Sequence, residues 1–265
     1  MTTCKCWAAA FVGIVLLPAV AASADPAAEA CQKGKSCLEK GDDVSAIAAF
    51  TEAVRLNPKD ADAYYHRGLA HERKGDYDKA VADFSNAIRL DPKDAVTYCM
   101  RGIAYKDRGD LDKAIADHTE AIRLNPKYAA AYWMRGIAYK NKGEYDKAIA
   151  DYTDAVRLNP KDARVYSTRG FAHVKKGDYD KAIADFSEAI RLDPKDAQAF
   201  CNRGNAQLRK GDFDTAIADY DEAIRLDPKV AKAYYGRGVA RGKKGDQAKA
   251  EEDFAQAKKL SYKGE

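Results

Sequence analysis

The sequence predicts an all-α solenoid of seven stacked helical hairpins. Pro58, Pro92, Pro126, Pro160, Pro194 and Pro228 recur every 34 residues, a period that marks stacked supersecondary units. Near-copies of one stretch, GDYDKAIADFSEAIRLDPKDA at residues 177–197, recur with that period. Within each copy the apolar residues fall at i, i+3, i+4 and i+7, the spacing of an amphipathic helix.

The first 24 residues differ from the rest. Lys5 is their only charge, an apolar run extends from Trp7 to Val20, and Ala22-Ser23-Ala24 closes the stretch. That order predicts a secretory signal peptide over 1–24, cleaved after Ala24, and an exported protein, periplasmic or secreted. The run is shorter than the roughly 20 residues a span requires. No stable membrane span is expected after cleavage, with a retained N-terminal anchor as the alternative. Cys31, Cys37, Cys99 and Cys201 then remain. An exported chain meets an oxidising compartment. Cys31 and Cys37 lie six apart on an expected helix, hence on different faces, so free thiols are expected. A Cys31–Cys37 disulfide stays open if the helix breaks at Gly34.

Residues 25–265 divide into units 27–60, 61–94, 95–128, 129–162, 163–196, 197–230 and 231–264. In the unit 163–196, ARVYSTRGFAHVKK forms the first helix, and Gly177-Asp178 breaks it. The second helix carries Tyr179, Ala182, Ile183, Phe186, Ala189 and Ile190 on one face. Asp193-Pro194 stops it, because a residue before proline is pushed out of the α region. Asp178 and Asp180 at its start and Arg191 near its end suit the helix dipole. Gly170, Ala182 and Ala189 allow close approach of the two helices, and Phe186 fills the space beside them. Phe84, His118, Tyr152, Tyr220 and Phe254 are its equivalents.

This glycine, these alanines, the aromatic and the proline at these offsets resemble the tetratricopeptide repeat family. The resemblance covers almost all of 25–265, with six strong repeats and one weak one. It implies a right-handed superhelical solenoid whose first helices line a concave groove. One departure stands out. Arg67, Arg101, Arg135, Arg169, Arg203 and Arg237 occupy the seventh position, where the family often has leucine. Asp83, Asp117, Asp151, Asp185, Asp219 and Asp253 recur at the twenty-third. A feature present in every repeat reads as a structural ladder, with ligand binding as the alternative. Glu251 and Lys258 stand where inner repeats have isoleucine, and Ala30 and Asp43 replace aromatic residues in the first unit. Both ends therefore read as caps.

Several function classes are excluded. Apolar residues make up 46% and charged residues 32%, and the net charge of +4 is interleaved within every repeat. That is a solvated surface, not a nucleic-acid stripe. His66 and His71 lie five apart, not the four that place two ligands on one helix face. His118 falls in the buried aromatic slot, and His71 and His173 in the slot of Tyr105 and Tyr139. The paired aspartates of the GDYD runs read as helix starts. No C-x-x-C pair, nucleophile elbow or phosphate loop appears. No enzyme activity, metal or cofactor is expected.

Function is expected where the repeats differ. The resemblance places Tyr65, Leu69, Cys99, Ile103, Trp133, Ile137, Phe171 and Val174 on the groove, with Lys106, Lys140 and Lys175 beside them. Val96, Cys201, Leu208, Tyr235, Val239, Arg73 and Arg209 fall at the same positions. An apolar strip with a basic margin suits a protein or peptide ligand; alternatively these residues only pack against neighbouring first helices. Some family members grip a terminal carboxylate with a fifth-position lysine. Tyrosine, cysteine, tryptophan and serine stand there in this chain, which argues against that mode. The expected role is a non-enzymatic interaction scaffold. An assembly factor or holdase-like helper is one alternative. A carbohydrate-pathway accessory, or the substrate-recruiting arm of an enzyme supplied in trans, is another.

Overall fold

The computed structural model describes residues 25–260 and 262; the expected signal peptide lies outside them. Among the described residues fourteen helices follow one another as seven hairpins. They are α1 (Pro26–Glu39) with α2 (Asp43–Leu56), α3 (Ala61–Arg73) with α4 (Tyr77–Leu90), and α5 (Ala95–Arg108) with α6 (Leu111–Leu124). Then come α7 (Ala129–Asn141) with α8 (Tyr145–Leu158) and α9 (Ala163–Lys176) with α10 (Tyr179–Leu192). Last are α11 (Ala197–Lys210) with α12 (Phe213–Leu226) and α13 (Ala231–Lys243) with α14 (Gln247–Lys259).

Local chemistry sets the boundaries. The aspartate after each Pro-Lys caps the next first helix: Asp94 accepts from the amides of Val96 at 2.9 Å and Thr97 at 3.3 Å. Tyr128 and Val230 replace it ahead of α7 and α13, which have no side-chain cap. Between the helices a glycine takes the left-handed conformation, as at Gly75 with φ 78°. The Asp76 amide then reaches back to the His71 carbonyl at 2.9 Å, closing the helix end.

Small residues hold the two helices together. Ala70, Ala104, Ala138, Ala172, Ala206 and Ala240 are fully buried, as are Ala80, Ala114 and Ala148 of the facing helices. The glycine of each first helix lies flat against the aromatic ring of the second. A Cβ at Gly68 would sit 2.8 Å from Phe84, and one at Gly136 would sit 2.6 Å from Tyr152. Successive hairpins stack second helix on next first helix. Ile183 of α10 packs with Ala206 of α11 across such a joint.

The expected ladder is present and reaches further than one hairpin. Arg135 grips Asp151 through two parallel bonds of 2.8 and 2.7 Å, and its third nitrogen donates to Thr119 of the preceding repeat at 3.1 Å. Arg169 does the same with Asp185 and Thr153. The pattern runs from Arg67 to Arg237, where Asp221 replaces the hydroxyl. Each guanidinium also faces the ring three residues earlier, as Arg135 faces Tyr132. The first repeat has Lys33 and Ala49 at these positions and begins the series without them.

The GDYD aspartates do more than start helices. Asp76, Asp110, Asp178 and Asp212 sit at the caps without a side-chain cap bond. The second aspartate of each pair meets a cation of the next repeat: Arg108 with Asp78 at 2.7 Å, Lys142 with Asp112 at 2.6 Å and Lys210 with Asp180 at 2.9 Å. These pairs are exposed and contribute little stability. Glu251 and Lys258 are exposed on the last repeat, as a cap requires, whereas Val44 and Leu56 leave apolar surface on the first.

His118 fills the slot that Phe84 and Phe186 fill elsewhere, and it is fully buried. Neither ring nitrogen has a hydrogen-bond partner among the described residues. Burial, with Arg135 and Lys106 nearby, pushes its pKa down to about 3.

Two outcomes are expected. Asp151→Ala leaves Arg135 half-buried without its partner and costs about 3–5 kcal/mol in urea denaturation, while Thr119→Val costs about 1 kcal/mol; equal effects would remove the ladder's role. His118 must stay neutral in the fold, whereas in the unfolded chain it gains a proton below its ordinary pKa. Its neutral form therefore supports the fold above about pH 6.5, and that support is lost as pH falls toward 3, by about 1.4 kcal/mol per pH unit. Between pH 7 and 4.5, His118→Phe should lose roughly 2–3 kcal/mol less stability than the parent. Parallel pH curves would show that the imidazole is solvated.

Candidate functional site

The first helices form the inner face of the stack. α1 touches α3, α3 touches α5, α5 touches α7, α9 touches α11 and α11 touches α13, while the second helices make no comparable contact with one another. The array therefore bends toward its first helices, and residues that vary between repeats line that side.

The expected groove residues divide by burial. Cys99 is 1% exposed and Cys201 fully buried, so both thiols lie inside the stack and not on its open face. The helix period explains this, because the fifth position turns toward the joint with the next repeat: Cys99 packs in a cluster with Ala121 and Ala131. Tyr65 and Leu69 pack around Phe84, and Ile103 against the Cys99 cluster, leaving each partly exposed. Trp133 joins two repeats. Its indole nitrogen donates to the Thr168 hydroxyl at 3.2 Å, and the Arg164 guanidinium lies 4.8 Å over its ring. Ile137 packs in the same cluster. Phe171 is 40% exposed, with Lys140 and Lys175 against its ring. Val174 packs beside Phe186. Lys106 pairs with Asp107. Burial and the charge of Lys106 push the Lys140 pKa down.

Charge is uneven along this face. Toward the start it carries Asp62, held by Lys35 at 2.7 Å, and a cavity of about 380 Å³ lined by Asp62, Asp91 and Asp94. Toward the end two cavities of about 170 and 540 Å³ adjoin, sharing Asn205, Arg209 and Lys232. No carboxylate lines either of them among the described residues. No group of three or more histidine, cysteine or acidic residues there could hold a metal, and no described helix is long and apolar enough to cross a membrane.

A sequence profile of the tetratricopeptide repeat matches residues 31–95, 99–163, 167–229 and 201–262. The chain belongs to the tetratricopeptide repeat family. Its fold is similar to that of a tetratricopeptide repeat protein from Parabacteroides merdae, at 23% identity over 91% of this chain and 95% of that one, with a TM-score of 0.69. It is also similar to MamA from Desulfovibrio magneticus RS-1, at 25% identity over 65% and 98%, with a TM-score of 0.61. YrrB, described as having an unusual peptide-binding site, shares 25% identity over 67% and 91%, with a TM-score of 0.59. No curated protein matches the chain.

Within this repeat framework, sequence reasoning passed over Asn202, Asn205, Lys232 and Lys243. Asn205 was a visible signal: it is the one amide at a ninth position held by Lys35 in the first repeat and otherwise by Leu69, Ile103, Ile137, Phe171 and Val239. The cysteines settle as free thiols, since α1 runs unbroken through Gly34. Burial pushes Cys31 and Cys99 up to about 11 and Cys201 to about 12. Iodoacetamide at neutral pH should therefore label Cys37 first in the chain beginning at Asp25, with the other three reacting only on unfolding. Native labelling of Cys99 at the rate of Cys37 would mean that the joint between the third and fourth repeats opens.

Proposed function

We propose that this protein is a non-enzymatic interaction scaffold that holds a peptide or protein segment along the inner face of its first helices. The observation that carries the reading is the contrast between the two kinds of position. The stack uses the same glycine, alanines, arginine and aspartate in repeat after repeat. The inner face changes from one repeat to the next, and it keeps Phe171 and Tyr235 each 40% exposed. Exposed aromatic surface on a face with no structural need for it marks a binding surface. Membership of the tetratricopeptide repeat family and the likeness to YrrB, itself described as having a peptide-binding site, support the same reading.

The scaffold acts outside the cytoplasm. That part rests on residues 1–24, with one charge, one apolar run and a small-residue end.

The test joins both parts. The exported protein, crosslinked from its groove to whatever it carries, should begin at Asp25 by mass spectrometry; a chain starting at Met1 would sink the export. Trp133 is the sole tryptophan after Ala24, so its emission should shift when the recovered partner binds. Trp133→Ala should weaken binding by at least about 2 kcal/mol while the fold persists. Normal binding by the folded variant, with unchanged emission in the parent, would take the middle of the groove out of the site.

A further inference from the structure

We propose that the inner face of the last three repeats is a docking site for an acidic peptide segment, with side-chain carboxylates next to an aromatic or aliphatic anchor. The proposal rests on the groove reading above and names the ligand's chemistry and place.

Three features converge. The first is charge. Lys175, Arg209, Lys232 and Lys243 line the two adjoining cavities, and among the described residues no carboxylate shares the lining. Lys175, Arg209 and Lys243 make no ion pair with any described residue. Other first-helix cations are answered locally, as Lys35 is by Asp62 and Arg108 by Asp78. Unanswered cations around a concave, partly apolar surface concentrate positive potential there.

The second is the orientation of two amides. The Tyr220 hydroxyl donates to the Asn205 oxygen at 3.0 Å, and the Gln198 amide donates to the Asn202 oxygen at 2.9 Å. With the oxygens engaged, both asparagines present NH₂ donors; Asn205 gives one hydrogen to the Cys201 sulfur at 3.8 Å and keeps the other for a further acceptor. Amides and cations at this site are therefore donors together, which suits carboxylate oxygens.

The third is the apolar part. The cavity of about 540 Å³ also has Leu208, Phe213, Tyr235 and Val239 in its walls, enough room for a large side chain. Phe171, exposed and flanked by two lysines, stands at the other end. A bare polyanion meets the cations but leaves these surfaces wet. A peptide with carboxylates beside one apolar side chain meets both. The acidic cavity near Asp62, Asp91 and Asp94 repels such a segment from the opposite end and confines it here.

The test uses the chain from Asp25 and a fluorescein-labelled peptide in which Glu and Asp alternate with Phe and Leu. Both peptide ends are blocked by acetyl and amide groups, so only side-chain carboxylates are offered. The peptide should bind and weaken steeply with salt. Lys175→Glu with Arg209→Glu should reduce affinity at least about tenfold, with the far-ultraviolet spectrum and melting curve retained. Lys161→Glu, an exposed charge outside the groove, should change little. Three results would overturn the site: no binding to the parent protein, equal binding by the double variant, or equal binding of single-stranded DNA. The groove reading fails separately. If a neutral apolar peptide shifts Trp133 emission while the acidic peptide does not bind, the groove stands and this site falls.

Discussion

Everything in this protein depends on a glycine lying against a ring. In each hairpin the first helix presents Gly34, Gly68, Gly102, Gly136, Gly170, Gly204 or Gly238 to the ring of the residue sixteen positions later. A Cβ there would meet the ring at roughly 3 Å or less, so the two helices stand at a distance only glycine permits. At that distance the other facing positions have room for alanine alone, which is why the core holds so many fully buried alanines. A hairpin built this way has little apolar surface of its own. It becomes stable by stacking, and the family's periodic sequence follows from that need. The constraint also accounts for Gly236: the Tyr220 ring reaches across the joint to within 2.4 Å of where its Cβ would be.

The arginine ladder sets the register of that stack. Leucine at the seventh position would add apolar area. Arginine adds direction: two of its nitrogens fit one carboxylate of its own hairpin, and the third finds a hydroxyl of the hairpin before. Half-buried ion pairs add little net stability over an apolar substitute, yet removing one partner is costly. A ladder of this kind therefore acts as a check on alignment. A slipped repeat would leave an arginine and an aspartate unpaired at each joint. Because the guanidinium is spent on this bond, it is not offered to a ligand.

Function is left to positions the stack does not use. The inner face carries what the repeats do not share, and its charge changes sign from the Asp62 end to the Arg209 end. Phe171 and Tyr235 stay 40% exposed, Tyr235 even with the Phe254 and Tyr262 rings against it, and Trp133 is half covered because Arg164 and Thr168 come to it from the next repeat. The groove's centre thus belongs partly to the stack, while the last three repeats leave more of their face free.

The sequence by itself determined the hairpins, their number and the existence of the ladder, because each follows from spacing along one chain. The 34-residue beat of prolines, the glycine and ring sixteen apart, and the recurring arginine and aspartate are all local enough to read directly, while the structure chose Asp185 for Arg169 over a carboxylate of a neighbouring repeat. The cap of the last repeat was visible as charge in place of isoleucine, whereas the first repeat, read as a cap too, leaves Val44 and Leu56 open. What only the tertiary structure decided are matters of rotation and neighbourhood. Whether a fifth-position side chain faces the groove or the joint depends on how far each helix turns against the next, and that turn put Cys99 and Cys201 in the core. Whether Lys175 and Arg209 meet a carboxylate depends on which side chains of different repeats come within a few ångströms. The composition is interleaved and nearly balanced, so no count along the chain distinguishes an answered cation from an unanswered one. Stacking sorts them, because it brings together residues 34 apart and separates those that are adjacent in sequence but point to opposite sides of a helix.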